Sequence, residues 1–444
     1  MREVTVVGGG LAGAEAAWQA GRYGLRVALY EMRPAKMTPV HRTGDLAELV
    51  CSNSLGSNLP DRALGLLKEE LRHLGSLVVA CADQTAVPAG GALAVGREAF
   101  ARLVTEQLAA HPQIRIVREE VREIPQARPL VIATGPLTSE AFSEALARLT
   151  GEQYLFFYDA MAPIVSADSI DLQKAFRGSR YGRGKADYIN CPLSEEQYGR
   201  LVDELLKAET IPLRDIEEDE RFFEACLPVE VIARRGRDAL AFGPLRPVGL
   251  TDPRTGQRAH AVVQLRQDDL AGTLYNLVGF QTNLRWSEQK RIFRLIPGLE
   301  QAEFVRFGQM HRNTFINSPV VLDAGLQCKG ESGLFFAGQI TGSEGYVSAV
   351  AGGLLAGTNA ARWARGWPQA AFPPTTMIGA LFRYISAANA EDFQPMKPNL
   401  GLLPPLPQHV RAKQQRYEAY AQRALQELEA YRTEAALERT NEGG

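Results

Sequence analysis

Residues 4–31 read VTVVGGGLAGAEAAWQAGRYGLRVALYE, and this stretch decides the fold. A β-branched run at 4–7 precedes a glycine turn, a segment of helix-forming residues and a second apolar run at 26–31. The change from a strand-like pattern to a helical one and back predicts a βαβ unit. We therefore expect an α/β chain with a Rossmann-like parallel sheet.

The glycine turn between the first strand and the first helix has the pattern G-x-G-x-x-G. The motif comprises Gly8, Gly9, Gly10, Leu11, Ala12 and Gly13. Gly8 permits the tight turn, Gly10 lets the backbone approach a pyrophosphate, and Gly13 lets helix and strand pack closely. The N-terminus of the helix offers unpaired amides and a positive dipole end. The sequence therefore predicts a dinucleotide site at this turn.

A carboxylate closes the second strand of this unit. Glu31 stands roughly 20 residues after the glycines, where an acid accepts hydrogen bonds from both ribose hydroxyls. A carboxylate there disfavours a ribose that carries a 2′-phosphate. Arg33, two residues further on, completes this part of the candidate cofactor site.

Two later segments favour FAD over NAD as the resident cofactor. The run VIATG at 131–135 ends a strand in a small-residue turn, and residues 333–345 add a late strand with a second glycine-rich turn. The candidate residues of these segments are Thr134, Gly135, Gly338, Gln339, Gly345 and Tyr346. No second strand-borne G-x-G-x-x-G appears, so we expect any reduced nicotinamide to be a visiting co-substrate.

The pattern changes between the two glycine-rich segments. Short aromatic and β-branched runs alternate there with polar loops, which predicts an inserted domain of mixed α+β type. We predict a two-part FAD-binding domain at 1–136 and 300–366 around an inserted substrate domain at 137–299. A helical C-terminal region follows at 367–444, its helix running from about 411 to 437.

Composition limits the possible partners. Lys and Arg number 49 against 51 Asp and Glu, so the net charge of −2 gives no global basic field and any RNA contact must come from local patches. Six His argue against a His-rich metal site, and we predict no metal. The first residues lack a signal-peptide pattern and no apolar run reaches about 18 residues, so we expect a cytoplasmic protein without a membrane span.

The five cysteines are widely spaced and contain no C-x-x-C, which fits neither a disulfide framework nor a zinc ribbon. Cys51 lies in a polar turn-rich loop and Cys226 lies in FFEACLPVE, so both are candidates for thiolate chemistry. The alternative for each is a buried structural thiol. We assign that structural role to Cys81, Cys191 and Cys328. A dithiol relay is not favoured because Cys51 has no close partner in sequence.

Many runs of the chain resemble the TrmFO family, the folate- and FAD-dependent tRNA (uracil-5-)-methyltransferases. They include VVGGGLAGAEAA, YEMRP, CSNSL, VPAGGALAVGR, IATGPLTS, FFEACLPVE, VVQLRQ, VGFQTNL, MHRNTFINSP and FFAGQITGSEGY, and they spread from residue 4 to about 396. The related MnmG (GidA) flavoproteins share the first and last glycine segments but have longer chains with an extra C-terminal helical domain. The length of 444 residues therefore favours the shorter family. Gly96 departs from the family pattern, which has Asp there.

The resemblance implies methylation of carbon-5 of the T-loop uridine in tRNA. Methylenetetrahydrofolate would supply the carbon, reduced FAD the electrons, and NAD(P)H would recharge the flavin. Cys51 and Cys226 match the family's two functional cysteines. We assign Cys226 as nucleophile and Cys51 as base or flavin-side partner, and the reverse order stays open. The chemistry requires a thiolate because uracil carbon-5 reacts only after a nucleophile has added to carbon-6.

Local basic patches are candidates for holding RNA. Four cations alternate with Gly and Tyr, a pattern suited to phosphate contact and base stacking, and two arginines follow Cys226. The candidates are Arg177, Arg180, Arg183, Lys185, Arg234 and Arg235. The alternative for each patch is a solvated surface.

Three other functions stay open at this point: an MnmG-like enzyme for wobble uridine, an FAD oxidoreductase for a small metabolite, and a non-catalytic RNA-binding flavoprotein. Cys226 near an arginine cluster favours the methyltransferase over the oxidoreductase. We infer no stable protein partner.

Overall fold

The computed structural model describes residues 3–150, 154–182, 185–211, 227–391 and 393–441. Its strands, in chain order, are β1 Val4–Val7, β2 Val27–Tyr30, β3 Ser54–Ser57, β4 Ala86–Val87, β5 Ala92–Val95, β6 Ile114–Val117, β7 Leu130–Ile132, β8 Tyr154–Ala160, β9 Ile164–Ser166, β10 Phe176–Gly178, β11 Tyr188–Leu193, β12 Ala261–Gln267, β13 Leu274–Leu277, β14 Phe304–Arg306, β15 Met310–Ile316 and β16 Leu334–Phe336. Its helices are α1 Leu11–Arg22, α2 Ala63–His73, α3 Leu77–Gln84, α4 Arg97–Ala110, α5 Glu140–Thr150, α6 Glu195–Lys207, α7 Val229–Arg234, α8 Ala239–Phe242, α9 Trp286–Phe293, α10 Ser318–Val321, α11 Tyr346–Arg365, α12 Met377–Ala387 and α13 Lys413–Asn441.

A five-stranded parallel sheet in the order β16-β7-β1-β2-β6 forms the centre of the cofactor domain. The strands are short and apolar, and β1, β7 and β16 are buried throughout, as expected for a sheet covered on both faces. Strand β16 joins β7 although about 200 residues separate them in the chain. The predicted two-part α/β domain is therefore confirmed.

Helices α1 and α11 pack against each other and join the two parts of this domain. The backbones approach so closely that a β-carbon added at Gly353 would lie 2.2 Å from the carbonyl oxygen of Ala12. At Gly357 it would lie 2.4 Å from the carbonyl oxygen of Ala16. Small residues in α11 are thus required for the helix crossing.

A second sheet is antiparallel, in the order β10-β11-β12-β13-β9-β14. With helices α6 and α9 it encloses a separate core that includes Val165, Leu201, Val263 and Ile292. Strand β14 belongs to this sheet and lies beyond residue 299. The domain bounds given above stay a prediction.

Small elements connect the two cores. A three-stranded sheet, β3-β5-β4, lies beside the cofactor domain, and β8 pairs with β15 along seven positions. Helix α13 packs Ala421, Ala424 and Leu428 inward. Within the described residues, no helix has the length and apolar character needed to cross a bilayer.

Candidate active site

A long cleft opens at the carboxyl ends of β1 and β7, where ligands bind in open parallel sheets. Most of the predicted cofactor residues line it. They are Gly8, Gly9, Gly10, Leu11, Ala12, Glu31, Arg33, Thr134, Gly135, Gly338, Gln339, Gly345 and Tyr346. We call this the cofactor cleft. Gly13 is the one member of the predicted set that does not line it.

The three motif glycines have different surroundings. A β-carbon at Gly8 would lie 2.5 Å from the carbonyl oxygen of Ala133, and one at Gly13 would lie 1.7 Å from the carbonyl oxygen of Gly8. A β-carbon at Gly10 would meet no atom within 4 Å. Gly8 and Gly13 are therefore required by packing, whereas Gly10 faces open space in the cleft.

Two helix N-termini face the cofactor cleft without side-chain caps. Helix α1 begins after Gly10 and α11 begins after Gly345, and neither N-cap makes a side-chain hydrogen bond to the described residues. The first amides of an α-helix have no partner within the helix and carry partial positive charge. The cleft therefore offers two sets of donors to a phosphate group.

Glu31 lies in this cleft and is held from both sides. One carboxylate oxygen accepts from the amide of Gly9 at 2.9 Å, and the other accepts from the amide and Nε of Arg33 at 3.0 and 2.9 Å. Burial would raise the pKa of Glu31, but the hydrogen bonds and charge of Arg33 outweigh it, and the pKa is lowered. The ionised carboxylate is therefore fixed where a ribose could donate to it.

His41 and Glu48 are among the lining residues of the cleft that the sequence reasoning missed. Glu48 accepts from Arg33 Nη1 at 3.2 Å, so Arg33 is paired with two carboxylates. Burial, followed by the charge of Arg33, lowers the pKa of His41 to about 4, so its ring is neutral. Neither residue belongs to a recognisable motif, because both come from the irregular loop after β2.

Cys51 adjoins the cofactor cleft through Tyr346. The phenol oxygen accepts from the amide of Cys51 at 2.8 Å and from the amide of Ser52 at 3.1 Å. Burial, and then the nearby Cys51, raise the pKa of Tyr346, so the phenol stays protonated. The thiol-bearing turn is thus attached to the first residue of α11.

Two buried arginines accompany Cys51. Arg97 donates to both oxygens of Asp268 at 3.2 and 3.0 Å, whereas Arg266 donates to the amide oxygen of Asn53 at 2.8 Å. Burial lowers the pKa of Arg266, and no carboxylate among the described residues forms an ion pair with it. We call Cys51, Asn53, Arg97, Arg266 and Tyr346 the thiol site.

The charge of Cys51 contributes to the pKa of both arginines, which shows that they are electrostatic neighbours of the sulfur. Neighbouring cations favour a thiolate over a thiol. The sequence reasoning did not single out Arg97 or Arg266. The signal was nevertheless present, because they lie in VPAGGALAVGR and VVQLRQ.

Cys226 lies outside the described residues, so its predicted role stays a prediction. The described residues just before and just after residues 212–226 are hydrogen-bonded to the same short segment of the chain. The amides of Ile211 and Val229 donate to backbone carbonyls within residues 281–283, at 2.9 and 2.7 Å.

The remaining cysteines and the basic candidates are dispersed. Cys81, Cys191 and Cys328 are buried, and burial raises the pKa of Cys81 and of Cys191 to about 12. The exposed basic candidates are Arg177, Lys185, Arg234 and Arg235. Arg180 is half-buried, and Arg183 lies outside the described residues. No cluster of three or more His, Cys, Asp or Glu suited to a metal occurs in the described part.

The sequence matches the family described as glucose inhibited division protein A over residues 3–368. A methylenetetrahydrofolate–tRNA-(uracil-5-)-methyltransferase TrmFO of Pelotomaculum thermopropionicum is 59% identical over 431 residues, which cover 97% of this chain and 98% of the relative. The TrmFO protein of Thermosynechococcus vestitus is 60% identical, covering 98% of this chain and 96% of its own.

Solved structures show the same fold. The form II crystal structure of Aquifex aeolicus GidA has a TM-score of 0.68 and 17% identity, covering 97% of this chain and 73% of that one. The form I structure also has a TM-score of 0.68, with 18% identity and coverage of 98% and 78%. At this identity the likeness concerns the fold alone.

Proposed function

The chain belongs to the TrmFO family, within the wider glucose inhibited division protein A family, and on this premise we propose that it is a folate- and FAD-dependent tRNA (uracil-5-)-methyltransferase. The observation that carries the proposal is 59–60% identity over nearly the whole length of TrmFO proteins. The much lower identity to GidA disfavours a wobble-uridine enzyme. It acts on tRNA with methylenetetrahydrofolate as carbon donor.

Finer parts of the proposal rest on the family resemblance. The target would be the T-loop uridine, NAD(P)H would reduce the flavin, and the enzyme would work in the cytoplasm. The ionised Glu31 favours a cofactor ribose with free hydroxyls in the cleft, which suits FAD.

The cofactor cleft fits FAD on three observations. The open space at Gly10 admits a pyrophosphate, the uncapped ends of α1 and α11 supply donors, and Glu31 receives ribose hydroxyls. When bound, FAD supplies the electrons that complete the methyl group. Thr134, Gly135 and Tyr346 would border it along the far part of the cleft.

The thiol site would activate the uracil. A thiolate adds to carbon-6, which turns carbon-5 into the nucleophilic carbon of an enolate. Once carbon-5 has bonded to the folate-derived methylene, a base removes the carbon-5 proton and the carbon-6–sulfur bond breaks to release the thiolate. Arg266 and Arg97 favour the anionic form of Cys51 and the negative charge that develops on the ring. Cys226 would take the other of the two roles.

The test is transfer of label. Unmethylated tRNA, NADH and labelled methylenetetrahydrofolate should give labelled 5-methyluridine in the T loop. Label that arrives only from S-adenosylmethionine, or none at all, contradicts the proposal. A small-metabolite oxidase would consume reductant without labelling RNA.

Separate variants test the two cysteines. Cys51→Ala and Cys226→Ala should each reduce transfer by at least about 1000-fold, the scale of loss for a catalytic nucleophile, and keep the yellow flavin. The matched control is Cys328→Ala, which lies in the core of the cofactor domain and should transfer normally. Loss of flavin from either of the first two variants would assign that cysteine a structural role.

A further inference from the structure

A second cavity, of about 550 Å³, lies between the two domains and apart from the cofactor cleft. Its lining includes Ser57, Arg62, Gly90, Arg180, Tyr181 and Tyr188, and we call it the side cavity. Residues of β3 and of the turn before β5 form one wall, and residues 179–181, after β10, together with Tyr188 of β11 form the other.

Two arginines line the side cavity; Arg62 lies 3.6 Å from a carboxylate oxygen of Asp61, whereas Arg180 has no carboxylate partner among the described residues. Arg180 donates from Nε to the amide oxygen of Gln264 at 2.8 Å and from Nη1 to the carbonyl of Val248 at 2.9 Å. No carboxylate among the described residues is within ion-pair distance of it, and burial followed by repulsion from Arg246 lowers its pKa. A cation in this setting is stabilised by an anion that arrives from outside.

Asp187, seven residues along the chain, forms no ion pair with Arg180 within the described structure. Asp187 accepts from the amide of Gly90 at 2.7 Å and from the amide of Lys185 at 3.0 Å, and it is not part of the lining. Elsewhere in the same domain an arginine has a carboxylate partner, as in the Arg254–Asp252 pair at 2.6 Å. Arg180 differs from Arg254 in having no carboxylate partner among the described residues.

Strand β12 connects the side cavity to the thiol site. Gln264 lines the cavity, and Arg266, two residues along the same strand, donates to Asn53. Alternate residues of a strand share one face, so these two side chains stand side by side, about 7 Å apart along the strand. A ligand in the cavity would therefore lie on the side of β12 that also carries the arginine of the thiol site.

The lining also defines the size and chemistry of the ligand. Arginine supplies charge for a phosphate, Ser57 supplies a hydroxyl, and two tyrosines supply rings for a base; Tyr188 is held by its hydroxyl, which donates to the carbonyl of Ala89 at 3.0 Å. Tyr181 is 58% exposed at the mouth. A cavity of this volume accommodates one nucleotide.

We propose that the side cavity binds the ribonucleotide next to the target uridine, with Arg180 contacting its phosphate. This inference rests on the proposed function and adds a subsite to it. The cavity would accept the nucleotide adjacent to the uridine that reaches Cys51. It would therefore help to select the target uridine within the RNA loop.

The first experiment measures RNA affinity. Arg180→Gln should raise the dissociation constant for unmethylated tRNA about 10-fold and reduce the slope of log K against log salt by about 1, as expected for one lost phosphate contact. Arg180→Lys should restore part of the affinity. The control is Arg200→Gln, an exposed arginine on α6, which should leave both quantities unchanged.

The second experiment removes the ligand instead. In a T-arm minihelix, an abasic residue next to the target uridine should weaken binding to the wild type and have a much smaller effect on Arg180→Gln. Equal losses in both proteins, or an Arg180→Gln variant that binds RNA normally, would overturn the subsite. So would a change in the KM for NADPH with no change for RNA, since this would assign the cavity to the reductant.

The outcomes distinguish this inference from the proposed function. If the wild type labels tRNA but the two experiments fail, only the side cavity is misassigned. If the wild type labels no tRNA, the proposed function itself fails. Flavin content and the tRNA-independent oxidation of NADPH report whether Arg180→Gln remains folded.

Discussion

The cofactor cleft and the thiol site each contain a buried arginine, but the two arginines have different hydrogen-bond partners. Arg33 lies between Glu31 and Glu48, both within 3.2 Å. Arg266 has only amide oxygens as hydrogen-bond partners among the described residues. In the cleft the arginine is paired with carboxylates before any ligand arrives, whereas at the thiol site Arg266 has no carboxylate partner among the described residues.

This difference indicates how each region binds. The cleft relies on backbone amides, open space at Gly10 and one fixed carboxylate, which suits a cofactor that stays bound. In the described part of the chain, Arg266 of the thiol site and Arg180 of the side cavity form no ion pair with a carboxylate. Their positive charge suits transient anions: a thiolate, an enolate oxygen and an RNA phosphate.

The largest expected effect tests the cleft. Gly10→Val should weaken flavin binding at least about 100-fold, because its side chain would occupy the space for the pyrophosphate, while the protein stays folded. Gly13→Val is the contrasting variant, since its β-carbon would lie 1.7 Å from the carbonyl oxygen of Gly8 and the fold itself should fail. Flavin fluorescence and circular dichroism measure the two results. Normal flavin content in Gly10→Val would refute the assignment of the cleft.

The next effect compares the two arginines directly. Arg33→Met leaves Glu31 and Glu48 buried without a cation, and the free energy of unfolding should fall by about 3–5 kcal/mol. Arg266→Met removes no partner of a carboxylate in the described structure but leaves the amide oxygen of buried Asn53 without its donor, so the free energy of unfolding should fall by only about 1–3 kcal/mol. Urea unfolding of the apoproteins measures both. Equal losses would break the comparison.

In the same Arg266→Met variant, Cys51 should be alkylated more slowly at neutral pH, because a cation beside the sulfur favours the reactive thiolate and the variant lacks that cation. The rate of iodoacetamide labelling at Cys51 measures this, followed by peptide mass analysis. An unchanged rate would show that Arg266 does not influence the ionisation of Cys51.

The smallest expected effect is a pH dependence in the cleft. His41 has a pKa of about 4 in the folded protein, below the value of about 6.5 in an unfolded chain. Between these values the unfolded state binds the additional proton, so stability falls as pH falls from 6.5 to 4. His41→Gln should remove about 1–2 kcal/mol of the difference between pH 7 and pH 5. The exposed His409, replaced in the same way, is the control; identical pH profiles for wild type and His41→Gln would contradict the burial of a neutral ring.

The two regions also differ in how far the sequence predicts them. The cleft is built largely from contiguous runs whose glycines have a steric role, so thirteen of its residues could be named from the motif and the strand ends. The thiol site depends on Asn53 meeting Gln267 and Arg266 across more than 200 residues. Sequence pattern gives strands but not which distant strands meet, so Arg97 and Arg266 were not assigned.

The basic patch shows the same limit. Arg177, Arg180 and Lys185 form one cluster in sequence, and the structure separates them. Arg177 and Lys185 are exposed, whereas Arg180 turns inward to Gln264 and lines the side cavity. The direction of each side chain is decided by the pairing of β10 and β11, which the composition of the run does not encode.

The glycine-mediated contact between α1 and α11 has a consequence for synthesis. Helix α11, which packs on the nucleotide-binding turn, and β16 beside β7 emerge from the ribosome more than 300 residues after that turn. At 5–20 residues per second this interval is roughly 20–70 s. The inserted domain, which has its own core, can fold during that time. During that time the small-residue face of α1 that meets α11 stays uncovered, so this contact forms only after most of the chain has been made.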